Sequence, residues 1–139
     1  MKQAQQYQNT EINPKIRLAL LWVAVTLCYL YGDYFELYVP KKVEGLISGD
    51  NLLNTPFKLF LAALMLAVPA LMVVSSILLR PVLNRVLNII FGIFYTLIMV
   101  LVGVSSYDKW MLFYIFLAFV ECVITLLIVR YAWIWPKER

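Results

Sequence analysis

FKLFLAALMLAVPALMVVSSILLRPVLNRVLNIIFGIFYTLIMVLVGV, residues 57–104, decides the fold of this chain. It holds two apolar runs, 57–79 and 82–104, each near the roughly 20 residues that cross a bilayer core of about 30 Å as a helix. Only Arg80 and Pro81 separate them, so the two runs form a helical hairpin with a very tight turn. A membrane barrel would need alternating segments of about ten residues, and these runs are continuous and twice as long. Pro69 inside the first run kinks that helix without ending it, because a neighbouring helix can satisfy the carbonyl the proline frees.

Outward from this hairpin, residues 16–39 and 110–135 repeat the pattern, giving four spans in all. Pro40 stops the first span, and Thr55 with Pro56 supplies an N-cap and a first-turn proline for the second. Of the 139 residues, 63% are hydrophobic and 14% charged, with a mean hydropathy of +0.82, which leaves too little polar surface to cover a water-soluble domain. The fold class is therefore all-α, an integral membrane four-helix bundle. Residues 1–15 form a polar cytoplasmic tail, 16–135 the transmembrane domain and 136–139 a second cytoplasmic tail. The opening residues are Gln-rich and polar, unlike a signal peptide, so the first helix is expected to stay in the mature protein.

Orientation follows the basic residues. With both termini on one side, that side collects Lys2, Lys15, Arg17, Arg80, Arg85, Arg130, Lys137 and Arg139, against Lys41, Lys42, Lys58 and Lys109 opposite. This bias puts both termini in the cytoplasm, and the cell membrane is the expected location. The net charge of +4 reads as topology and contact with anionic lipid, not as nucleic-acid binding. The connection 41–54 carries Val43, Leu46 and Ile47 on one face of a short helix, with Lys41, Lys42 and Glu44 towards water. It is expected to lie flat on the outer surface, as an anchor or as a lid.

Carboxyl groups give the candidate site. In YLYGDYFELYVP, residues 29–40, Asp33 and Glu36 continue a stripe of Trp22, Thr26 and Tyr29 along one side of the first helix. By helix rise they lie roughly 10 Å and roughly 6 Å below Pro40, where they either open a hydrated vestibule or pair with Lys41, Lys42 or Lys109. Glu121 lies deeper, roughly 16 Å from Trp110 and roughly 13 Å from Arg130, with no Lys or Arg at that depth. Thr26, Tyr29, Asn88 and Tyr95 bracket its level. An intramembrane carboxyl of this kind marks a functional site by default, although a protonated acid can also hold helices together. With no basic partner, Glu121 is expected to rest protonated.

Other chemistry is narrowed by composition. The sequence has no His, its two cysteines, Cys28 and Cys122, form no cluster, and it has neither a Walker motif nor GxSxG. No metal and no cofactor are expected. The segments LLWVAVTLCYLYGDYFELYVP (20–40), LNIIFG (87–92) and FVECVITLLIVRYAWIWP (119–136) together resemble a domain-of-unknown-function family of small four-helix microbial membrane proteins. The resemblance implies the fold and the membrane and supplies no activity.

Three classes of function fit these features. The first is a transporter or permease with a protonatable Glu121, Asp33 and Glu36 drawing a small molecule or proton inward. A structural or accessory subunit would use the carboxyls as packing, and a homo-oligomer is compatible with each class. An enzyme acting on a lipid or isoprenoid would use Asp33 and Glu121 as acid and base.

Overall fold

The computed structural model describes residues 11–136; the expectations for the outer parts of both tails, Lys2, Lys137 and Arg139 among them, lie outside the described residues. The described chain folds as α1 (Pro14–Glu36), α2 (Lys42–Ser48), α3 (Pro56–Leu78), α4 (Pro81–Ser105), a 3-10 turn (Lys109–Met111) and α5 (Leu112–Trp133). The four long helices are each long and apolar enough to cross a membrane, and no strand occurs among the described residues.

Local chemistry sets the helix ends. Asn13 caps α1 by accepting from the Lys15 amide at 2.9 Å, and Thr55 caps α3 by accepting from the Lys58 amide. Pro14, Pro56 and Pro81 each occupy a first-turn position, where a missing N–H costs nothing. α1 ends at Glu36, three residues before the expected 39. Pro40 has no N–H for the Glu36 carbonyl, and residues 37–39 tighten into turns in which the Val39 amide takes that carbonyl at 3.1 Å. The short helix in the connection between α1 and α3 forms as expected, with Val43, Leu46 and Ile47 exposed; Lys42 forms an ion pair with Glu36. Gly49 closes this helix at φ 79°, a left-handed position that glycine takes without strain.

The bundle is closed at one end and open at the other. α5 packs extensively against α4 and α1, and α1 packs against α3, whereas α3 and α4 share little backbone contact despite their tight connection. Leu18, Trp22, Val25, Met72, Tyr95, Ile128 and Ala132 form the core, towards the Arg80–Pro81 turn. At that end Lys15 donates to the Leu79 and Ile77 carbonyls (2.8 and 3.2 Å), and Arg85 donates to those of Ala132 and Trp133 (3.2 and 3.3 Å). Each cation thereby satisfies carbonyls left free at a helix C-terminus. Gly92 lets α4 approach α5 closely, since a Cβ there would lie 2.7 Å from the Val129 Cγ2. Towards α2 the packing thins: the buried residues of α3 are Pro69, Met72 and Ser76, all in its second half. The outward faces are apolar and suit contact with lipid.

Pro69 makes a specific demand that α4 meets. It cannot donate to the Met65 carbonyl four residues back, and the Tyr95 hydroxyl donates to that oxygen at 2.5 Å. Tyr95→Phe is expected to destabilise the protein by about 1–2 kcal/mol in a detergent unfolding titration. Adding Pro69→Ala, which restores the helical N–H, should recover most of that loss; two independent, additive losses would contradict the pairing.

Candidate functional site

Where the core ends, a cavity of about 110 Å³ opens among α1, α3, α4 and α5. Its polar lining is Tyr29 and Asp33 from α1, Tyr95 from α4, and Tyr114 and Glu121 from α5. Met65, Leu66, Ile98, Met99, Val102 and Leu117 supply the apolar wall, and Gly32 packs beside the Tyr114 ring, which a Cβ there would meet in ordinary contact at 3.4 Å. The lining includes no Lys or Arg.

The two carboxyls differ in depth. Glu121 is 4% exposed, and no described residue donates a side-chain hydrogen bond or forms an ion pair with its carboxyl; only its backbone carbonyl is engaged, by the Thr125 hydroxyl at 2.9 Å. Asp33 is exposed and sits at the mouth. The most buried line of α1 runs through Leu18, Trp22, Val25 and Gly32, so Asp33 falls one residue off its centre, at the edge of the face. The Tyr29 hydroxyl is buried without a hydrogen-bond partner. Its ring meets that of Tyr95 at 6.1 Å and 41°, giving the cavity two non-parallel aromatic walls.

Of the residues the sequence singles out, the structure brings Tyr29, Asp33, Tyr95 and Glu121 together and leaves Glu36, Thr26 and Asn88 outside. Glu36 is taken up by Lys42, and the Thr26 hydroxyl donates to the Trp22 carbonyl of its own helix at 2.8 Å. Asn88 belongs to a separate, fully buried network. Its carbonyl accepts from the Trp22 indole at 2.7 Å, its amide donates to the Asn84 carbonyl and side chain at 2.8 and 2.6 Å, and the Ser76 hydroxyl lies at 3.4 Å. Asn84 in turn donates to the Ser76 backbone carbonyl at 2.5 Å.

Sequence reasoning misses Asn84, Ser76 and Tyr114. For Asn84 a signal exists, since it precedes Asn88 by four residues on the face that also carries Gly92, Tyr95 and Met99. Tyr114 gives none, as one aromatic among several at the start of a span. No group of three or more His, Cys, Asp or Glu side chains gathers among the described residues.

A family model, DUF6326, described as a family of unknown function, matches residues 6–139. Searches of the curated proteins and of the solved structures found no match to the chain.

Proposed function

The chain belongs to the DUF6326 family of unknown function, and we propose that it is a small permease whose Glu121 exchanges a proton as the cavity fills and empties. The observation that carries this reading is Glu121 itself: a carboxyl 4% exposed, facing a cavity, with no hydrogen-bond partner among the described residues. A carboxyl kept only to hold helices together would be bonded to one of them. One that takes up and releases a proton against a visiting solute is left free for it. Asp33 at the mouth, exposed, would receive the solute first.

The open end faces outward in this proposal. Lys15, Arg17, Arg80, Arg85 and Arg130 cluster at the packed end, which supports a cytoplasmic location for that end and for both termini, with the protein in the cell membrane. In a variant whose Cys28 and Cys122 are replaced by alanine, a membrane-impermeant thiol reagent added to intact cells is expected to label Ser48→Cys and spare Arg80→Cys. The reverse pattern would invert the topology.

Asp33 and Glu121 lining one cavity also favours an acid/base enzyme on a lipid or isoprenoid. Flux separates the two. In proteoliposomes with a pH dye inside, an imposed gradient of a transported solute should drive proton movement that Glu121→Gln abolishes. A wild-type protein that moves no protons under any solute gradient, yet converts added lipid, would overturn the permease reading.

A further inference from the structure

We propose that the cavity is a binding site for a small alkylammonium cation, held between Glu121 and Asp33 and walled by Tyr29, Tyr95 and Tyr114. As a binding site it stands on the geometry; that the cation is carried across rests on the permease reading.

Three features of the cavity select this class of ligand. The first is charge. Sharing the cavity with Glu121 are Asp33 and Tyr29 of α1, Tyr95 of α4 and Tyr114 of its own helix, with the thiols of Cys28 and Cys122 as the other titratable groups near it, while α3 contributes only Met65 and Leu66. None of these can be positive, so a carboxylate formed here is compensated only by a proton or a visiting cation.

The second is the lining. Two carboxyls supply at most four oxygens, short of the six or more that a hard metal ion stripped of its water takes, and the Tyr95 hydroxyl is already given to the Met65 carbonyl. Aromatic walls and methionines instead suit a cation that carries its own apolar coat, because a ring face attracts an ammonium without demanding hydrogen bonds. The Tyr29 hydroxyl, buried and unpartnered, is available to an N–H or to a water that accompanies it.

Size is the third. A cavity of about 150 Å³ takes benzene. The 110 Å³ here accordingly suits about four or five heavy atoms, the range of methylated ammonium ions.

Binding of such a cation exchanges it for the Glu121 proton: the carboxyl O–H breaks, the proton leaves to solvent, and the carboxylate pairs with the ammonium. The test uses purified full-length protein in detergent, titrated calorimetrically with tetramethylammonium chloride in two buffers of different ionisation enthalpy. Binding should release protons to the buffer and weaken by up to about tenfold per unit of falling pH. tert-Butanol, neutral and of similar size, should not bind. Glu121→Gln should lose the proton release and bind at least tenfold more weakly, Asp33→Asn should weaken binding with release retained, and Glu44→Gln on the outer helix should behave as wild type.

Failure of folded wild-type protein to bind tetramethylammonium overturns the site. So does binding that Glu121→Gln leaves unchanged. Binding without flux in proteoliposomes would reject the permease reading and keep the site; solute-driven proton flux without binding would reject the site and keep the permease.

Discussion

Replacing Asn88 with leucine is expected to destabilise the protein by about 2–4 kcal/mol. Hydrogen bonds between membrane helices average about 0.6 kcal/mol, with a maximum of about 1.7, because the unfolded helices in lipid find other partners. Asn88, however, makes several at once. Its loss strands the Trp22 indole N–H, which bonds it at 2.7 Å, and the Asn84 side chain at 2.6 Å, and it unseats Ser76. All four residues are fully buried in the packed end, so none can turn to water. A denaturing-detergent titration followed by tryptophan fluorescence would read the change directly, since Trp22 is itself in the network. Asn88→Leu as stable as wild type would mean that these bonds do not hold the closed end together.

Glu121 should respond in the opposite way. No described side chain depends on its carboxyl, so Glu121→Gln should leave stability within about 0.5 kcal/mol of wild type. Glu121→Leu, which removes a buried polar group that no partner satisfies, should be equal or more stable by about 1 kcal/mol. The functional cost falls on both: loss of the exchangeable proton should lower solute-driven proton flux by at least tenfold. The contrast between two buried polar residues is therefore the useful result. Asn88 fails the fold and Glu121 fails the activity. If Glu121→Leu unfolds as readily as Asn88→Leu while Glu121→Gln retains full flux, the carboxyl is structural.

The spans were legible because a bilayer imposes a length and a hydrocarbon composition that few other environments require, and Pro56 and the Arg80–Pro81 turn mark helix starts in the sequence itself, whereas the start of α1 at Pro14 came only with the structure. Pro69 announced a free carbonyl, but only packing could say that Tyr95 would take it. The candidate site was legible as depth and not as adjacency. Asn88 and Glu121 are both polar residues inside spans, yet the indole of Trp22 reaches Asn88 and draws it into the core. Likewise the spacing of Asp33 and Glu36 places both near one side of α1, and it cannot show that Lys42, after a left-handed residue at Lys41 (φ 65°), folds back to claim Glu36 and leave Asp33 at the cavity. Helix periodicity is a local property; which polar groups meet is settled by contacts from other spans.

The proton on Glu121 can be observed without any transport assay. Infrared spectroscopy of the protein in lipid near neutral pH should show a protonated-carboxyl band that disappears in Glu121→Gln and bleaches when tetramethylammonium is added. A wild-type spectrum lacking that band, or one whose band survives Glu121→Gln and vanishes in Asp33→Asn, would contradict a resting protonated Glu121 that yields its proton to a cation.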